Sequence, residues 1–241
     1  AFLRFRPYAQ DKQEITRLKQ DRLLELVNIA EQGAPMPALL AWGHRTVACF
    51  KACATRTTDR FPLVLYIGEI YMRQHDGFTD HVVDHLEDMG LELVRSPVTE
   101  WLDYINKDRL FMARQDIRLG WKYGPLGRIL HKTPHYARSL VKARYMAGVE
   151  RRLERPFHDV LADRHLLPSP MEMIATLERH GEGHRSIKGE SPLSTGMAYH
   201  VMRGLGRSGK DGRICGIVHV GPFTCMQESV ATAKIEAMVN E

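Results

Sequence analysis

The chain has 241 residues, with 34 Lys and Arg against 29 Asp and Glu and 44% apolar residues, which is enough chain to bury a core and too apolar for general disorder. No run of about 18 apolar residues appears, and the opening AFLRFRPYAQ lacks the pattern of a signal peptide, so neither a membrane span nor a secretion signal is read here. Four cysteines (Cys49, Cys53, Cys215 and Cys225) are too few for a disulfide framework and point to a reducing cytoplasm.

The first predicted element is an amphipathic helix over 11–33. Ile15, Leu18, Leu23, Leu26 and Ile29 recur near helical spacing, and Gly33, Pro35 and Pro37 close the segment. A second helix, from about Ala38 to Thr55, puts Cys49 and Cys53 one turn apart. Metal sites usually draw on loop-borne pairs at shorter spacing, so these two thiols read as packing residues. PLVLYIG (62–68) is a continuous apolar run of branched and aromatic residues, as in a strand of a parallel sheet covered on both faces. Thr79 is the predicted cap of a helix over DHVVDHLEDMG (80–90), and LELVRSP (91–97) follows as a second strand, completing a βαβ unit. Residues 105–180 carry no strand pattern and read as several helices broken at Gly120, Gly124–Pro125, Pro134, Pro156 and Pro168. GRICGIVHVGPF (212–223) returns to the buried-strand pattern, and QESVATAKIEAMV (227–239) has helical composition.

These elements predict an α/β fold, a Rossmann-like, mostly parallel sheet with a helical insertion. An N-terminal helical segment (1–60) precedes the first part of the α/β lobe (61–104), the helical insertion or cap (105–180) and the second part of the lobe (181–241). A sheet that ends on one strand and one helix, in a chain with no initiator Met, is expected of a fragment of a longer protein. The net charge of +5 is local. Residues 105–155 hold 13 Lys and Arg against 4 Asp and Glu, and the remainder is net negative. Spread along helices and without interleaved aromatic platforms, this basicity predicts a solvated helical face and no nucleic-acid binding.

In open parallel sheets, ligands collect beyond the carboxyl ends of the strands. GEIYMRQHDGF, SPVTEWLDY and GPFTCM occupy those places here. Glu69 and Arg73 follow the first strand directly, as a couple for a polar ligand or as a structural ion pair. Gly221 and Pro222 force a turn that puts Cys225 near the start of the next helix, where the helix dipole favours the thiolate that a metal ligand or nucleophile needs. One thiolate does not make a cluster site, since an iron–sulfur cubane takes about four ligands. His180 and His184, in HGEGH, are separated by glycines that break the helix needed to align them. GLGRSG (204–209) mimics a dinucleotide fingerprint but precedes a strand instead of linking strand to helix. The chain has no P-loop, no G-x-S-x-G elbow and no C-x-x-C.

The stretch PLVLYIGEIYMRQHDGFTDHVVDHLEDMGLELVRSPVTEWLDY, then IKGESPLSTGMAYHVM, then GRICGIVHVGPFTCMQESVA, resembles the 2-hydroxyacyl-CoA dehydratase superfamily. More closely, it is similar to the dehydratase-like portion of CoA-enzyme activases and activase-related proteins. The resemblance spans most of residues 62–240 and leaves the first 60 uncovered. It implies a lobe of an oxygen-sensitive protein that holds a 4Fe-4S cluster through cysteine thiolates, with Cys225 as a ligand. An ATP-hydrolysing activase domain or subunit is the implied partner, passing a low-potential electron toward dehydration of an acyl-CoA, and a homodimer is the compatible assembly. Glu69, Tyr71, Arg73 and Glu190 match family motif positions on the same sheet edge and are the implied substrate-binding residues. Gln227 and Glu228 stand where family members commonly carry Pro-Gly, and no ATPase module is present in the chain. By itself the chain is expected to catalyse nothing.

A different class of function, a non-catalytic module that binds CoA or docks an acidic protein without a cluster, is motivated by the local basicity of 105–155, since the 3′-phospho-ADP group of CoA is a polyanion. A nucleotide-binding or glycosyltransferase-like enzyme rests on fold analogy alone and has no motif behind it.

Overall fold

The structure is a computed structural model that describes residues 1–54, 61–124, 126–161, 168–204 and 214–240. It is mostly helical around a small parallel sheet, an α/β arrangement. Three strands, β1 (Leu63–Gly68), β2 (Glu92–Arg95) and β3 (Ile214–Val220), lie in the order β2-β1-β3, all parallel. The central strand is buried along its whole length, as its unbroken apolar run requires when both faces are covered.

Alternating side chains of β1 feed two cores. On one face Tyr66 packs with Val83 and Leu93, beneath α1 (Phe2–Phe5) and the crossover helix α5 (Val82–Asp88). On the other face Leu65 and Ile67 pack with Tyr104, Met173, Ile174, Leu193 and Met197, from α6 (Val98–Tyr123), α9 (Pro170–Arg179) and α10 (Ser191–Met202). The helix α10 is buried from Ser191 to His200 and is the central helix of that layer. It is covered in turn by α11 (Met226–Val239).

Several sequence expectations change in detail. Thr79 does not cap α5; its hydroxyl donates to the Asp76 carbonyl, and the N-cap is His81, held at a φ of 54° without a side-chain cap bond. The helical run begins at Val98 and forms a long hairpin of α6 and α7 (Leu126–Glu154), and α7 runs straight through Pro134. An interior proline removes a helical hydrogen bond at a cost of about 3 kcal/mol. The long contact between α6 and α7 offsets that loss. A single turn, α8 (His158–Leu161), ends this region. The GLGRSG stretch, apart from Gly204, lies outside the described residues.

The N-terminal residues around Tyr8 are tied to the sheet edge. The Tyr8 hydroxyl donates to Glu92 at 2.7 Å and accepts from the Phe61 amide at 3.2 Å, so a buried carboxylate at the start of β2 is satisfied by the N-terminal segment. Asp11 caps α2 (Lys12–Glu31) by accepting from the Gln13 and Glu14 amides, and α2 pairs with α3 (Met36–Cys53) around Ile15 and Phe50. Cys53 packs on that cluster; burial first, then Glu14 and Cys49, raise its thiol pKa, the state of an inert packing cysteine.

Glu87, on α5, is a buried carboxyl whose oxygens find no hydrogen bond although Arg6 lies 3.4 Å away. Burial outweighs the guanidinium and pushes its pKa up to about 7. The protonated form therefore favours folding fully below the ordinary value of 4.5, and that contribution is lost as pH rises through about 7. Glu87→Gln is expected to remove this loss, making the variant more stable than the parent at pH 8 by on the order of 2 kcal/mol and equal to it near pH 4, as measured by urea unfolding at the two pH values.

Candidate functional site

At the carboxyl edge of the sheet four segments far apart in sequence meet around one side chain, Arg73. It lies on α4 (Ile70–Gln74), the short helix leaving β1, and is 3% exposed. Glu100 of α6 is its ion-pair partner at 4.0 Å, and Glu190, Glu228 and Glu69 act on it at longer range. Burial pulls the guanidinium pKa down and the four carboxylates push it back, in that order. Its Nε has no hydrogen-bond partner among the described residues. The Arg73 carbonyl accepts from Arg95 at 3.2 Å, which ties the end of β2 to the same helix.

Each carboxylate has a defined local task. Glu69 is the N-cap of α4 and accepts from the Met72 amide at 2.7 Å, so the sequence couple Glu69–Arg73 is a capped turn and not a direct ion pair. Glu190, the residue before α10, accepts from the Ile70 amide at 3.3 Å, and its own amide donates to Gln227 Oε1 at 2.6 Å. Burial, then Glu69, raise the pKa of Glu190. Burial also raises that of Glu100, against a short hydrogen bond from the Ser96 hydroxyl. Glu228 is buried on α11, where it accepts from Ser194 at 3.2 Å and meets His219 Nε2 at 2.5 Å.

The backbone is shaped for this convergence. Gly68 has a φ of +122°, and a Cβ there would stand 1.8 Å from the Val220 carbonyl oxygen. The next amide, Glu69 N–H, donates to that same oxygen at 2.9 Å, so the glycine lets the ends of β1 and β3 close on each other. Gly189 plays the same part for α11: at a φ of +96°, a Cβ would strike the Gln227 amide at 1.8 Å.

Of the residues singled out in the sequence, Glu69, Arg73 and Glu190 are brought together. Tyr71 is not; it points outward at 58% exposure and stacks with His75 and Phe78. Cys225 is half-buried at the N-cap of α11, where its carbonyl accepts from the Ser229 hydroxyl and its side chain makes no cap bond. Cys215 is exposed on β3, and Cys49 and Cys53 sit on α3. His180 and His184 are exposed, the first against Tyr199 and the second bonded to Ser186. Among the described residues no group of three or more His, Cys, Asp or Glu is placed to hold a metal ion. A cubane needs about four ligands, so these residues alone do not fit a cluster. Glu100, Ser194, His219, Gln227 and Glu228 complete the cluster of polar side chains, and no local sequence signal marks them as site residues.

No family model, no curated protein and no solved structure matches the chain. Among the described residues no helix is long and apolar enough to cross a membrane.

Removing a buried cation from among carboxylates leaves uncompensated charge, with a cost of roughly 3 kcal/mol or more. Arg73→Met is expected to lose about that much stability in urea unfolding at pH 7.5, with the deficit narrowing toward pH 5 as Glu100 and Glu190, both raised, take up protons.

Proposed function

We propose that the chain is a Rossmann-like lobe related to the 2-hydroxyacyl-CoA dehydratase superfamily, closest in kind to the dehydratase-like portion of CoA-enzyme activases and activase-related proteins. In this reading it works in the cytoplasm as part of an iron–sulfur component in ATP-driven, low-potential electron transfer to an acyl-CoA dehydration system. The observation that carries the reading is the meeting of GEIYMR, P-EWL and KGES at one sheet edge around Arg73, joined there by Gln227 and Glu228, which directly follow PF-CM, since these separate motifs carry the resemblance. Cys225 is the one cysteine at that edge, and the activase ATPase domain or subunit is the partner. The described residues supply no full ligand set, so any 4Fe-4S cluster takes its other ligands from elsewhere, and no step of chemistry is assigned to this chain alone.

A second reading, a docking module without a cluster, is favoured by the hairpin of α6 and α7. Exposed Arg114, Arg118, Lys122, Lys142 and Arg144 lie there with exposed Trp121, Val141 and Tyr145, a basic surface with apolar anchors suited to an acidic partner or to CoA.

Anaerobic reconstitution with iron and sulfide separates the two. The first reading expects a visible thiolate-to-iron absorption band, with iron and labile sulfide in proportion, that Cys225→Ser reduces at least several-fold. An unchanged iron content in that variant contradicts the ligand role. A protein that takes up no cluster, alone or with an activase ATPase present, leaves the docking reading.

A further inference from the structure

A cavity of about 730 Å³ lies between α1, the end of β2 and the hairpin of α6 and α7. That volume is in the range of sites that enclose small ligands. Its walls are mostly apolar: Phe2 of α1, Val94 of β2, Val98 and Leu102 one turn apart on α6, and Met146 and Leu153 two turns apart on α7. Val98, Leu102 and Leu153 are exposed, so the cavity holds large apolar side chains open to water that a ligand would cover.

The charges around it, of both signs, are already answered. Arg4 is held by Glu92 at 3.4 Å and Lys107 by Asp103 at 2.6 Å. Arg95 donates to the Arg73 carbonyl at 3.2 Å and is favoured in its charged form by Asp76. Burial, then Glu154 and Asp103, raise the pKa of Glu150, while the Thr99 hydroxyl and Lys107 lower it. Glu154 is exposed to water. Burial, then Arg95, bring the Ala1 amine down to about 6, so it is largely uncharged at pH 7.5. An entering ion of either sign would meet like charges, find no uncommitted counter-charge and lose its own hydration. Asn106 differs from these groups. It lines the cavity on the next turn of α6 after Leu102, and its side-chain amide has no hydrogen-bond partner among the described residues.

We infer that this cavity binds a small uncharged molecule with an apolar chain and one hydrogen-bonding end, the chain lying between α1, β2, α6 and α7 and the polar end on the Asn106 amide. A medium-chain alcohol has that chemistry. A fatty acid and an alkylammonium do not, because each carries a charge that the balanced surroundings leave unpaired. The inference stands independently of the dehydratase-related reading, since neither the apolar walls nor Asn106 belongs to the Arg73 cluster.

The test is calorimetric titration at pH 7.5 with 1-octanol, against octanoate and octyltrimethylammonium as charged probes of the same chain length. Octanol is expected to bind at least tenfold tighter than either ion, with binding weakened at least threefold by Asn106→Leu and abolished by Ala147→Trp, which fills the cavity. Circular dichroism of each variant, and of the parent at the highest octanol concentration, checks that the fold is kept. The inference is overturned if either ion binds as tightly as octanol, if octanol does not bind, or if both folded variants leave its binding intact. If Ala147→Trp fails to fold, Asn106→Leu alone decides.

Discussion

The buried guanidinium of Arg73 is the positive charge at the centre of a group of buried and half-buried carboxylates, and the carboxyl edge of the sheet is organised around it. Glu69, Glu100, Glu190 and Glu228 arrive from four separate segments, and each is more costly to bury without that cation than with it. Arg73 itself bears a burial penalty that no single carboxylate offsets, since its closest partner is 4.0 Å away. The cluster therefore acts as a unit. Its members are satisfied only when β1, β2, β3 and the loop before α10 are all in place.

Two glycines set how closely those parts approach. Gly68 lets the amide after β1 reach the last carbonyl of β3, and Gly189 lets the Gln227 amide cover the loop before α10. A Pro-Gly pair after Cys225-Met226 would supply neither the Gln227 contact nor the Glu228 carboxylate that meets His219 and Ser194. Side-chain hydrogen bonds of Gln227 and Glu228 thus hold the start of α11 against the loop before α10 and the end of β3.

The strands were legible because β1 is buried on both faces and so is written as an unbroken apolar run, bounded by Pro62 and Gly68. Helix α2 was legible through its spacing and the acidic cap at Asp11. The hairpin of α6 and α7 was not, because Pro134 and Gly120 are local signals and the helix–helix contact that overrides them is tertiary. At the site, Glu69, Arg73 and Glu190 could be picked out beside strand ends, whereas Glu100, Ser194 and His219 owe their place to elements that meet only in three dimensions. Glu69 and Arg73, four apart, read as an ion pair; the backbone instead turns the carboxylate onto the Met72 amide. The cavity was invisible for the same reason, since its walls come from α1, β2 and the hairpin together.

The dependence of the sheet edge on one cation is tested most directly by a double-mutant cycle in urea unfolding at pH 7.5, combining Arg73→Met with Glu100→Gln. The account predicts that the double variant is more stable than the sum of the single losses implies, with a coupling of about 1 to 3 kcal/mol, as neighbouring buried charges give. A coupling indistinguishable from zero would mean that Arg73 and Glu100 contribute independently, and would contradict it.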